Sequence, residues 1–380
     1  MSRLAVRAEL IKLARTLDTD PESLDFLADH DAESLTRLRE GVSDGLFKRH
    51  ASSFRLLANL SGLLPTMLTA KVAQFALGAF LAGRVTGEMQ PDTAVSVAKK
   101  LPAEFLADVS MAIDPARAEP VIAAMPTKTV EAVAEVLTAR EEYITMGRFV
   151  GAISEQALYR VIDNLEDAEL LHIGFYVEDA SRLDSILEYL PEDRLRNIVN
   201  TATRESLWPE ALSFIQMVGD EQKGRLGDLT AGEDDAVLDS LIHVAQEQSL
   251  WPEVLVAAAS MQPDNQARVV NLPSLTDRNV LDSIIAATHA QDMWALVLPL
   301  VARMSQANQT AAMDAALSQD DEVIAAWLNA AGDEALADQA VPVLENLPEA
   351  QRSELLEKMR RFEKHQTGPA HGTLMAALGG

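Results

Sequence analysis

The segment Ser206-Leu207-Trp208-Pro209-Glu210-Ala211-Leu212 returns 43 residues later as Ser249-Leu250-Trp251-Pro252-Glu253-Val254-Leu255, and 43 residues beyond that as Asp292-Met293-Trp294-Ala295-Leu296. A second motif keeps the same step. Val237-Leu238-Asp239-Ser240-Leu241-Ile242 becomes Val280-Leu281-Asp282-Ser283-Ile284-Ile285 and then a degenerate Val323-Ile324-Ala325-Ala326-Trp327-Leu328, while Pro299 matches Pro342. Two motifs in step at one period mark a repeated supersecondary unit, and a period of roughly 40–47 residues is that of HEAT and armadillo arrays. The spacing predicts four helix-pair, HEAT-like repeats at 191–233, 234–276, 277–319 and 320–362. Upstream, Arg182-Leu183-Asp184-Ser185-Ile186-Leu187 has the same helix start but lies 55 residues before Leu238, so 148–190 reads as an irregular repeat.

Outward from the repeats the chain continues in short helices. Apolar residues recur at three and four, and β-branched alternation is scarce, so no strand is expected. Asp20-Pro21-Glu22, Leu101-Pro102-Ala103-Glu104, Asp114-Pro115, Met125-Pro126, Leu190-Pro191-Glu192 and Leu347-Pro348-Glu349 place a proline at a helix start, where its missing N–H and fixed φ are harmless. Helices this short are marginal alone and must pack on neighbours, which is how a solenoid is stabilised. The expected fold class is all-α, a superhelical solenoid. N-terminal helices occupy 1–50, a short-helix region 51–147, and a flexible tail 363–380.

The stretch Leu101-Pro102-Ala103-Glu104-Phe105-Leu106, through Asp114-Pro115-Ala116-Arg117-Ala118 to Ala123-Ala124-Met125-Pro126 and then Val130–Leu137, resembles the cytosolic N-terminal domain of MgtE-type magnesium transporters. The similarity spans roughly residues 60–200. It implies a right-handed superhelix of short helices, each opened by a proline and an acid. In that family the domain works beside CBS domains and a membrane pore. This chain shows no strand-bearing CBS pattern and no pore helices, so the resemblance implies a fold and a bacterial kinship, not magnesium transport.

Composition bounds the rest. The 380 residues hold 32 basic and 58 acidic side chains, a formal charge of −26, and no cysteine. Disulfides, thiolate metal sites and a cysteine nucleophile are excluded, in keeping with a cytoplasmic setting. Residues 1–100 carry 13 Lys/Arg against 12 Asp/Glu, so the acidity lies beyond residue 100. From Leu226 to Ala350 only Arg268, Arg278 and Arg303 oppose 20 carboxylates, which argues against nucleic acid as a partner. The first fifteen residues lack a secretory pattern, and Leu4, Leu10, Leu13, Ala14 and Leu17 on one face read as a helix capping the fold. Leu56–Gly83 is the most apolar stretch, with Lys71 its only charge and Pro65 dividing it. It reads as two buried helices, not a membrane span.

The seven histidines form no HExxH, HxH or i,i+4 pair, and no phosphate-binding loop or nucleophile elbow occurs, so an enzyme is not expected. Trp208, Trp251 and Trp294 are expected between successive helices, each indole N–H on a nearby carbonyl. Asp184, Asp239 and Asp282 would align as an acidic ladder that pairs with a basic protein surface. With Asp234, Asp235, Asp320 and Asp321 they are also weak Mg²⁺ candidates. The corner at 140–149, with Tyr143, Arg148 and Phe149, breaks the periodicity and is a candidate seat for a partner segment. A basic helix with Lys358, Arg360, Arg361 and Lys364 precedes the apolar tail Leu374, Met375 and Leu378, which could dock in a groove of this molecule, a second copy or a partner. The functional expectation is a non-enzymatic cytosolic scaffold or adaptor using a concave acidic surface. The alternative is a regulatory module responsive to Mg²⁺ or to an apolar small molecule.

Overall fold

The computed structural model describes residues 3–362 and 371–379, which are helical with short connections; among them there is no β-strand. The chain divides into two compact units, Met1–Met217 and Val218–Gly380. The first unit contains α1 (Arg3–Leu17), α2 (Ala32–Lys48), α3 (Ala51–Ser61), α4 (Thr66–Val72), α5 (Gly78–Thr86), α6 (Pro91–Ala98), α7 (Ala103–Ala112) and α8 (Pro115–Ala123). It continues with α9 (Thr127–Ala139), α10 (Tyr143–Phe149), α11 (Glu155–Asn164), α12 (Asp167–Phe175), α13 (Leu183–Tyr189), α14 (Glu192–Arg204) and α15 (Trp208–Met217).

Within this unit helices pack on the one two places along. α3 lies on α5, α5 on α7, α7 on α9 and α9 on α11, while α4 lies on α6 and α6 on α8. The file continues as α10 on α12 and α12 on α14 and α15. Short helices approach closely where a side chain is missing. At Gly83 an added Cβ would stand 2.9 Å from Ala112 Cβ, and at Gly147 it would stand 2.7 Å from the backbone carbon of Tyr176. The prolines at 102, 126 and 191 sit at the N-cap with extended ψ, one residue earlier than expected, and still sacrifice no helical hydrogen bond. Helices α1 and α2 pack on each other, and α1 also reaches α15.

The second unit contains α16 (Asp220–Ala231), α17 (Asp235–Gln248), α18 (Trp251–Ser260), α19 (Pro263–Val269), α20 (Arg278–Ala290), α21 (Trp294–Val301) and α22 (Gln306–Leu317). It ends with α23 (Asp321–Ala331), α24 (Glu334–Glu345), α25 (Glu349–Phe362) and α26 (His371–Ala377). The 43-residue period holds, but each period contains three helices and not the expected pair. α17, α18 and α19 are followed in step by α20, α21 and α22, then by α23, α24 and α25. Among the third helices α19 escapes a reading of apolar spacing because it is seven residues long.

The repeated motif is a helix stop as well as a helix start. Ser206, Ser249 and Asp292 all take the left-handed conformation, with φ of 61°, 57° and 53°. The next amide in each case bonds back to the carbonyl of Ala202, Ala245 or Thr288, at 2.8, 2.9 and 2.9 Å. This is the six-to-one bond of a Schellman cap, and it turns the chain so that the following tryptophan enters the core. Trp208, Trp251 and Trp294 are buried as expected. Their indoles depart from expectation. Trp251 Nε1 donates to Gln246 Oε1 at 3.1 Å, whereas the Trp208 and Trp294 N–H groups are buried without an acceptor, so packing and not hydrogen bonding fixes those rings.

Candidate interaction surfaces

Helix α3 is apolar on two sides. Phe54 and Ala58 face inward onto Phe47 and Val85, with the Phe47 and Phe54 ring centroids 5.3 Å apart. Leu56 and Leu60 lie about 200° further round the helix and face outward, 61 and 46 % exposed. The exposure continues through Leu63 and Leu64, Met67 and Leu68 on α4, Phe75, and Phe80 and Leu81 on α5. Leu63 and Phe75 stand out the furthest, at 80 and 79 %. The expectation of two buried helices over 56–83 is therefore corrected. Small residues, Ala58, Ala70, Ala82 and Gly83, are the buried ones, and the large side chains are left on the outside.

Thr66–Thr86 is the one helical stretch among the described residues long and apolar enough to cross a membrane, and 22 % of its most apolar 18 residues are buried. It is not an uninterrupted helix. Ala73–Leu77 forms a π-helical turn, and Gly78 leaves it at φ +72°, a conformation that L side chains rarely adopt. Beyond that break α5 is held against α7 at the Gly83 contact.

The corner at 140–149 is seated by the chain's own N-terminal helices. Arg15 of α1 pairs with Glu142, and Arg39 of α2 reaches Glu178 at 2.9 Å, where Arg148 also bonds at 3.2 Å. Tyr143 stacks on His172 with ring centroids 5.1 Å apart, and Phe149 is half-buried. Burial, helped by Glu169, Glu141 and Glu166, pushes the Tyr143 hydroxyl above its ordinary range. Behind this contact lies a buried ionic cluster that the sequence reading missed. Glu9 accepts from Lys12 at 2.7 Å and from Arg39 at 3.1 Å, with all three side chains over nine-tenths buried. Burial alone would raise the Glu9 carboxyl, but Lys12 and Arg39 outweigh it and hold it below its ordinary value. Further along α2, Asp44 pairs with Arg117 of α8, whose guanidinium lies 4.2 Å from the centre of the Phe47 ring.

The acidic candidates are placed separately. Asp184 and Asp239 are exposed. Asp282 is engaged, taking Arg278 Nε at 2.9 Å on both oxygens and Gln319 Nε2 at 2.8 Å. Asp234 and Asp320 stand at the N-caps of α17 and α23, Asp235 pairs with Arg268 at 3.2 Å, and Asp321 lies 3.7 Å from Arg361. Among the described residues no three His, Asp or Glu side chains converge to hold a metal, so the weak cation candidates gain no site. Other side-chain oxygens, two from Asp and one from Asn, do structural work at the 43-residue step. Asp228 Oδ1 accepts from the Gln262 amide and from Asn265 Nδ2, both at 2.8 Å. Asn271 Oδ1 accepts from the Ser305 amide at 2.6 Å, and Asp314 accepts from Gln351. The recurrence of Asp228, Asn271 and Asp314 at that step was the signal available for them.

At the end of the second unit Leu374 and Leu378 are buried with Trp327, Leu355 and Met359, and Met375 packs on the same cluster. The groove filled by this segment is the chain's own. Its large side chains are thereby withdrawn from a partner or a second copy, while Lys364 and the link at 363–370 lie outside the described residues. Comparison with protein families, with curated proteins and with solved structures finds no match to this chain.

Proposed function

We propose that the chain is a non-enzymatic interaction scaffold, a solenoid of stacked short helices followed by three-helix repeats, which offers its outer faces to protein partners. The observation that carries the reading is the open apolar face of α3–α5. Nine large apolar side chains within 26 residues stand 37 to 80 % exposed. At roughly 200 Å² per residue they present on the order of 1,000 Å² of surface. The largest apolar patch on a typical monomer is about 300–600 Å², and larger ones mark interaction sites. The acidic surface beyond residue 100 fits the same reading, since it repels nucleic acid and presents exposed carboxylates such as Asp239 to a basic surface. Extended helical arrays commonly hold other proteins along their faces, which is support by analogy of fold.

Affinity capture from the native cell extract, comparing the intact chain with the double variant Leu60→Glu and Leu63→Glu, tests the reading. A stoichiometric protein retained by the intact chain and lost from the variant is expected. Identical recoveries from both would remove the face from the account.

A further inference from the structure

We infer that the occupant of the α3–α5 face is a second copy of this chain, meeting it through the same face about a two-fold axis. The inference rests on the interaction reading of that face and names the partner.

The stacking pattern supplies the first argument. In the first unit each helix of the file lies on the one two places along, so α5 has α3 on one side and α7 on the other. α3 and α4 begin the file, packing onto α5 and α6, and α3 meets only the end of α2 through Phe47 and Phe54, which leaves Leu56 and Leu60 uncovered. The terminal layer of a stacked-helix protein needs a polar outer surface to stay soluble. Here Leu56, Leu60, Met67 and Leu68 stand where polar side chains belong, and α1 does not cover them, because it packs on α2 and α15. A second α3–α4 layer continues the stacking and covers both open ends at once, which is the self-complementary geometry of a two-fold dimer.

Area and charge point the same way. The exposed apolar surface, on the order of 1,000 Å², is about what each partner contributes to a standard stable interface, roughly 800 Å². Between Leu56 and Gly83 Lys71 is the only charge, and interface cores are depleted in charge and enriched in aromatic and methionine side chains such as Phe75 and Met67. Residues 1–100 are nearly neutral, 13 basic against 12 acidic, while the rest of the chain has 19 against 46. Two copies can therefore approach through this region without the like-charge repulsion that their other surfaces impose. A lipid surface fits less well. An interfacial helix carries Lys and Arg along its polar face, whereas α3, α4 and α5 carry one cation each, Arg55, Lys71 and Arg84, with Arg55 paired to Glu88, and α5 is held on α7 at Gly83.

Sedimentation velocity of the full chain at 1 to 50 µM, with Leu63→Glu, Phe75→Glu and Phe26→Glu variants, tests the inference. Phe26 is as exposed as the face residues but lies outside it, between α1 and α2. The intact chain and Phe26→Glu are expected to sediment as dimers of the 41.3 kDa chain. Each face variant is expected to weaken association at least 100-fold with its helical circular dichroism unchanged. Three results overturn the inference: an intact chain monomeric at 50 µM, face variants that remain dimeric, or a monomer that floats with phosphatidylcholine or phosphatidylglycerol vesicles. A monomer that still loses a captured protein on Leu63→Glu ends the second-copy inference and leaves the scaffold. A monomer whose face variants change no capture ends both.

Discussion

Replacing Glu9 by Gln should loosen the N-terminal helices far more than a one-atom change suggests. Glu9 is the shared acceptor of Lys12 at 2.7 Å and Arg39 at 3.1 Å, and the three side chains are over nine-tenths buried. Breaking a buried ion pair by removing one partner costs about 3–5 kcal/mol, because the remaining charge is left desolvated. Arg39 keeps Glu178 at 2.9 Å, so the loss falls mainly on Lys12 and the lower end of that range applies. A local cost of about 3 kcal/mol corresponds to roughly 100-fold faster opening. Hydrogen exchange of the α1 and α2 amides reads it directly. Adding Lys12→Met to Glu9→Gln should restore most of the protection, since the stranded charge is then gone. A single variant that exchanges within threefold of the parent, or a double variant as labile as the single, would refute the reasoning. The same carboxylate sets a pH dependence. Its folded pKa lies below the ordinary value of about 4.5, so its contribution is complete above that pH and is lost as the pH falls through the lowered folded value. Protection of α1 and α2 should therefore fall below about pH 4.5 in the parent, with the Glu9 contribution to that fall absent from Glu9→Gln.

Three further outcomes are expected. Gly147→Ala puts a methyl 2.7 Å from the Tyr176 backbone, so α10 and α12 must separate, and urea denaturation should register a loss of about 1–3 kcal/mol in the first unit. Ser249→Gly removes a side chain from a left-handed position at φ 57°; the relief, about 1 kcal/mol, is partly offset by unfolded-state entropy, so the melting temperature should hold or rise slightly, whereas Ser249→Val should lower it by several degrees. Leu374→Ala empties a fully buried place beside Trp327 and should cost about 2–4 kcal/mol in the second unit, read as earlier loss of tryptophan fluorescence in urea.

The helices and the 43-residue step were legible because both are written in one-dimensional spacing. Pro115 marks a helix start, and the repeated Trp208, Trp251 and Trp294 open equivalent helices. Among the third helices α19 was not legible, since seven residues carry too few turns to show an apolar face, whereas α25 opens at the Leu347-Pro348-Glu349 start that the sequence marks. Burial was misread over 56–83 because apolar composition does not say which side of a helix finds a neighbour. Alanine and glycine took the inner contacts and left Leu63 and Phe75 outside. The ionic seat of the 140–149 corner joins Arg39 to Glu178 across 139 residues, and no local pattern announces a pair so distant. Tyr143, Arg148 and Phe149 read in the sequence as a seat for a partner segment; in the structure Arg15 of α1 pairs with Glu142 of that corner, and Arg39 of α2 shares Glu178 with Arg148.

The central claim is that the α3–α5 face is where this chain meets another polypeptide. Photoreactive benzoylphenylalanine in place of Leu63, 80 % exposed, tests it inside the native cell, with the same probe in place of exposed Glu188 on α13 as the comparison. The account predicts a discrete polypeptide adduct from position 63 and none of comparable yield from position 188. Irradiation that yields no polypeptide adduct at 63, or equal adducts at both positions, would contradict it.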